Sequence, residues 1–267
     1  MIFDVLLPTV LFLVTSATLY IYSKYETRIE SIFEERKLDY RYAVVMVVAT
    51  GIMASVMLLI SGNAIMIFFL SAYSLLLFLF TYLVAPKWYL AFIPPALFII
   101  LYFSSYWAYF FNVFGIVFAI LISVLLGSLF EWKTTAVFVV LITIMDVIQV
   151  LITGQMVESG RTLVELGLPV MIILPTFPYI GGISALGLGD VFLSGLLSIQ
   201  TAQKYGRKLG FASAIIIAIV FLISQTVLLN SNVQAFPATV FIITGWLIML
   251  VARHLYQSNK LKHDRDD

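Results

Sequence analysis

Cysteine is absent from this chain, which excludes disulfides, thiol nucleophiles and Cys-ligated metals and leaves the redox compartment unspecified. Histidine is nearly absent: only His254 and His263 occur, both in the polar C-terminal stretch. Neither an HExxH zinc site nor a Ser-His pair can be assembled inside an apolar segment, and no Ser-Lys pair lies there either. No metal and no cofactor is expected. Charge is scarce as well. With 11% charged and 62% hydrophobic residues and a mean hydropathy of +1.08, too few polar groups remain to cover a water-soluble globule. The net charge is +1 and no basic cluster is interleaved with aromatics, so a nucleic-acid partner is not expected. The partner implied by composition is a lipid bilayer.

What the chain has is long apolar runs. At roughly 20 residues per crossing, they divide into nine spans near 5–22, 43–61, 64–84, 88–105, 109–130, 134–153, 182–203, 209–229 and 234–252. The fold class is therefore an all-α polytopic membrane protein with nine transmembrane helices. The first 22 residues lack a basic leader, carry Asp4 and stay apolar too long for a signal peptide, so they read as a retained span. Pro94 and Pro95 interrupt the fourth span, which membranes tolerate where neighbouring helices satisfy the freed carbonyls. Residues 1–130 read as an N-terminal bundle of spans one to five and 131–252 as a second bundle of spans six to nine. The polar stretch 23–41 reads as a solvated helical extension, and 253–267 as a frayed, solvated tail.

Alternating these spans puts 14 of the 15 Lys and Arg residues on one side and leaves Arg161 alone on the other. The positive-inside rule makes the basic side cytoplasmic. The N-terminus is then outside, the C-terminus inside, and the connection between spans six and seven outside, in what is read as the cell membrane.

Two carboxylates stand deep in apolar spans, Asp146 in span six and Asp190 in span seven. An ionisable group in the bilayer is expensive and is a functional candidate by default. No Lys, Arg or His lies in an apolar span to neutralise either one. Their positions along antiparallel spans place both roughly 12 Å below the outer surface, at about 1.5 Å per residue, so they can meet. The plainer alternative is that each is a buried polar group bonded to backbone or Ser/Thr of another helix. Gly187-Leu188-Gly189-Asp190 adds a second feature: two glycines before the acid remove Cβ atoms and let an extended peptide approach. Glycine pairs are also common packing devices in membrane helices. Pro237 and Ala238 open span nine at the same expected depth.

Together these residues resemble the presenilin and signal peptide peptidase family of intramembrane aspartyl proteases, in particular its microbial presenilin-like members. The resemblance covers the chain from about Thr134 to the end of span nine. It implies that Asp146 and Asp190 are the catalytic pair, that Gly187, Leu188 and Gly189 contact substrate, and that Pro237, Ala238 and Thr239 stand at the family's Pro-Ala-Leu site. The chain departs from the family at Met145, where a Tyr is usual, and at Thr239, where a Leu is usual. The second bundle, 131–252, would then be the catalytic one, and the substrates transmembrane segments or leftover signal peptides.

The chemistry follows from the carboxylates themselves. Two like charges in a dry site cannot both ionise, so an ionised Asp acts as base on water while its protonated partner donates to the scissile carbonyl. A helical substrate must be unwound first. The stretch Leu168–Pro175, bracketed by prolines and β-branched within, reads either as a short strand able to pair with it or as a re-entrant loop. Two other functions fit parts of the pattern. A prepilin-type peptidase shares a GxGD-like signature but typically follows it with Lys, where this chain has Val191-Phe192. A proton-coupled transporter could use the aspartates as a relay, but should show paired broken helices in both halves, and GLGD has no clear counterpart in the first half.

Overall fold

The computed structural model describes residues 2–33, 37–57, 59–85, 87–178, 181–231 and 236–266, without the side chains of 30–33 and 259–266. The order is α1 (Leu6–Phe33), α2 (Tyr40–Met57), α3 (Gly62–Val84), a 3₁₀ turn (Trp88–Phe92), α4 (Ile93–Tyr102), α5 (Trp107–Leu129) and α6 (Trp132–Val147). A π-helical turn (Ile148–Ile152), α7 (Gln155–Glu165), β1 (Met171–Pro175), β2 (Ile183–Gly187), α8 (Leu188–Tyr205), α9 (Arg207–Leu229) and α10 (Ala238–Asp266) follow. Among the described residues, seven helices are long and apolar enough to cross a membrane: α1, α2, α3, α5, α6 with its π turn, α9 and α10. The chain is an integral, multi-pass helical membrane protein with one two-stranded sheet.

Two of the expected spans differ. The fourth resolves into the 3₁₀ turn and α4, whose 10 residues rise about 15 Å, half the hydrocarbon thickness. The seventh, expected from 182, begins as strand β2, and its helix starts only at Leu188. α8 is less apolar than the others because it does not face lipid: from Val191 to Thr201 every residue except Phe192 is buried. The start of the ninth expected span, 234–235, lies outside the described residues, and α10 begins at Ala238. The stretch expected to be a frayed tail continues α10 in regular helix to Asp266. Beyond Gly245 it contains neither Gly nor Pro, and helix-favouring Leu, Lys, Arg and Gln carry it on.

α8 is the axis of the bundle, packed against α1, α5, α9 and α10. Lipid is as apolar as leucine, so such contacts rest on close packing and interhelical hydrogen bonds rather than on a hydrophobic drive. A Cβ on Gly195 would lie 2.6 Å from Ser123 Oγ, and one on Gly245 2.7 Å from the Ile217 backbone. Thr15 and Ser194 share a hydrogen bond of 2.9 Å, and the Trp246 indole donates to Thr201 Oγ1 at 2.9 Å. Under α3, α4 and α5, Tyr73 stacks on Phe118 at 4.1 Å, and Phe98 meets Phe118 edge-on.

Two residues beyond the π turn, Gly154, with a φ of 68°, turns the chain into α7. The sheet follows. β1 and β2 are antiparallel, with Ile173 opposite Ala185. Leu188 N–H donates to Val170 O and Thr176 N–H to Gly182 O, so even-numbered residues carry the ladder and odd-numbered ones point their amides and carbonyls outward. On β1 the outward groups of Ile173 are already taken. Its N–H donates to Asn112 Oδ1 at 2.9 Å, and its carbonyl accepts from Asn112 Nδ2 at 2.7 Å. α5 thus closes the edge of the strand expected to be open. Among the described residues the unclaimed edge is that of β2, where Ile183 is 77% exposed and Ala185 is exposed too.

Candidate active site

Asp146 is the penultimate residue of α6, where the helix changes to its π turn. Such turns are frequently found at functional sites. Asp190 is the third residue of α8. The two are near enough for the charge of Asp146 to act on Asp190, as their matched depths predict. Asp146 is buried, and its Oδ2 accepts a 2.6 Å hydrogen bond from the Thr239 hydroxyl. The Thr239 backbone amide faces the Asp190 carboxyl. Thr239 therefore stands between the aspartates and addresses each with a different group.

Thr239 is the second residue of α10, so its amide has no acceptor within the helix. Asp190 lies in the first turn of α8. The positive ends of two helix dipoles thus converge on the pair, which offsets part of the electrostatic cost of one negative charge there. Asp190 Oδ1 is shielded from solvent and has no hydrogen-bond partner among the described residues. Buried carboxylate oxygens are rarely left so.

The other expected site residues separate into two groups. Gly187 precedes α8 in extended conformation, and a Cβ there would come within 3.2 Å of Asp190 Oδ2. A Cβ on exposed Gly189 would meet nothing nearer than Phe192 at 4.0 Å, so the surface above it is open. Leu188 is different: its side chain is buried in the core and its amide is bonded to Val170. It supports the strand-to-helix junction and presents no side chain at the site. Pro237 is buried and its carbonyl accepts from Val240 N–H, opening α10; Ala238 packs on the core. Met145 points at α2, with its Sδ 2.8 Å from where a Gly51 Cβ would stand.

Three residues of the neighbourhood escaped the sequence reading. Gln149, three after Asp146, is buried and donates to Gly51 O, with its Oε1 unpartnered. Asn112 holds β1, and its amide inside an otherwise apolar span was the available signal. Asp4, fully buried, is a third acid in the protein interior; its place near the chain start disguised it as the end of a span. Among the described residues no cluster of His, Cys, Asp and Glu has the make-up of a metal site.

Replacing Thr239 separates its two roles. Thr239→Val keeps the volume and the amide but leaves Asp146 Oδ2 buried without its donor, a loss of about 1.5–3 kcal/mol for a hydrogen bond to a charged group. Any activity that depends on the pair is expected to fall about 10- to 100-fold and its pH profile to move, whereas Thr239→Ser keeps both. Equal activity in the Val and Ser variants would remove Thr239 from the site.

No protein-family model matches this chain, and no curated protein sequence matches it.

Proposed function

We propose that this protein is an intramembrane aspartyl endopeptidase of the presenilin and signal peptide peptidase kind, hydrolysing peptide bonds within transmembrane segments or leftover signal peptides. One observation carries the reading: Asp146 within electrostatic range of Asp190, the two linked through Thr239, with Asp190 Oδ1 unpartnered among the described residues. Sharing a single proton, the pair has one oxygen able to take a proton from water and another able to give one to the substrate carbonyl. The water oxygen bonds to the carbonyl carbon, the C–N bond breaks, and the leaving nitrogen receives the proton.

Strand geometry favours a peptide over an ion as the substrate. The outward edge of β2, at Ile183, Ala185 and Gly187, runs directly into Gly189 and Asp190. An unwound segment added along that edge arrives at the open surface over Gly189 with its carbonyls beside the pair. The substrate strand is thus assigned to β2 and not to β1, whose edge Asn112 occupies. The test is cleavage of a single-span peptide by the purified protein in detergent, with a hydroxyl-bearing isostere of the tetrahedral intermediate as competitor. The isostere is expected to bind more tightly than substrate and a chelator to leave the rate unchanged. Loss of activity with chelator and its return with zinc would point to a different chemistry.

The topology belongs to the same proposal: nine crossings, counting buried α8 and the short Trp88–Tyr102 segment, with the N-terminus outside and the C-terminus in the cytoplasm of the cell. That orientation selects substrates whose own N-terminus is cytoplasmic. A protein with no native Cys suits thiol labelling. Exposed Glu158 is a suitable position in the connection before α8, whereas its neighbour Ser159 is buried with its hydroxyl on Ala54 O. Glu158→Cys is expected to react with an impermeant reagent in intact cells and Gln257→Cys only after lysis. The opposite pattern would invert both the topology and the substrate class.

A further inference from the structure

Asp4 is fully buried, and among the described residues it forms no ion pair. Its acceptor capacity is used by neutral donors from three parts of the fold. Oδ1 accepts from Leu6 N–H at 3.0 Å, capping the start of α1, and from Phe177 N–H at 3.1 Å, just beyond β1. Oδ2 accepts from Gln225 Nε2 on α9 at 3.0 Å, and the same amide reaches Ser184 Oγ on β2 at 3.3 Å. The backbone adds a further tie, Val5 N–H to Phe177 O at 2.8 Å. The far end of the hairpin is therefore fastened to α1 and α9 through one carboxylate. Its near end is continuous with α8 and Asp190, and its outer side is fastened by Asn112.

We infer that Asp4 is a positioning residue for substrate, fixing the distal end of the hairpin so that the β2 edge keeps its register against Asp190. This rests on the peptidase reading for the identity of the substrate, but the mechanical claim stands apart from it. A two-stranded ribbon is only marginally stable by itself, so fixing it at one end alone leaves it free to tilt. From Ser184 to Gly187 the strand spans about 10 Å, and a small tilt at the Asp4 end displaces a bound peptide along that length. A buried carboxylate serves as the fastener because it accepts several bonds at once, where a neutral side chain offers fewer acceptor sites. Release of the tie should weaken substrate capture more than the chemical step, since Asp146, Thr239 and Asp190 are held by other helices.

The experiment compares wild type with Asp4→Asn and Gln225→Met by hydrogen exchange on the full chain in detergent and by steady-state cleavage of the single-span peptide. Both variants are expected to exchange the amides of 171–174, 176–177 and 183–187 at least about tenfold faster, with α5 and α10 unchanged. KM is expected to rise about tenfold, with kcat within about threefold of wild type. If Asp4→Asn fails to fold, Gln225→Met, which keeps the α1 cap and removes only the α9 tie, decides the question. Unchanged hairpin exchange would overturn the inference, as would a fall in kcat at constant KM. Faster hairpin exchange in a protein whose wild type cleaves nothing would instead retain the tie and reject the peptidase.

Discussion

Asp146→Asn and Asp190→Asn are each expected to lower peptide cleavage by at least about 10³-fold while the protein still expresses, folds and binds the single-span peptide. Asn keeps the shape of Asp and can neither take a proton from water nor deliver one, so the loss includes most of what general acid–base catalysis supplies. The double variant is expected to be no worse than either single one, because a proton-sharing pair works as a unit. Folding should respond in the opposite sense. Removing one of two like, partly desolvated acids relieves a repulsion, and thermal stability is expected to be unchanged or higher. Asp146→Asn keeps an oxygen for the Thr239 hydroxyl, which limits structural side effects. Measurement of kcat, peptide affinity and the melting temperature on one preparation separates the outcomes. Near-wild-type turnover in either variant would end the assignment of the pair. A large fall in melting temperature would show that the acid is a structural polar group instead.

The second large effect is expected on the strand edge. Ala185→Pro removes an outward amide of β2 and places a ring where an incoming backbone must lie, without touching the ladder to β1, which runs through the even-numbered residues. A proline that deletes a hydrogen bond and clashes costs about 3 kcal/mol, or roughly 100-fold in kcat/KM. Ala185→Val keeps the amide and is expected to stay within about fivefold. The stretch Leu168–Pro175, read from the sequence as a strand able to pair with substrate, would place such a test at Ile172. In the folded protein Ile172 is buried and faces Leu186 across the ladder. Ile172→Pro would therefore break the hairpin itself and say nothing of an added strand. Equal kcat/KM for the Pro and Val variants at 185 would remove strand addition to β2 from the mechanism.

The sequence by itself determined the membrane class, the positions of most long helices and the two acids that are costly inside apolar spans. Each of those follows from a local quantity. An apolar run of about 20 residues crosses a bilayer wherever it occurs, and Asp146 and Asp190 are expensive in such a run whatever surrounds them. Even their meeting was legible, because rise per residue converts sequence position into depth. The structure decided what depends on neighbours distant in the chain. α8 is less apolar because other helices, and not lipid, cover it. Residues 183–187 of the expected seventh span form a strand because β1 is there to pair with them. Which strand edge is open depends on Asn112, 61 positions from Ile173. Asp4 is an interior acid only because Gln225, 221 positions away, closes over it. Thr239, expected as a departure within a substrate-binding motif, becomes the bridge between the acids because α10 begins beside the end of α6. A chain's periodicity encodes which face of an element is apolar; which polar groups meet across elements is fixed only by packing.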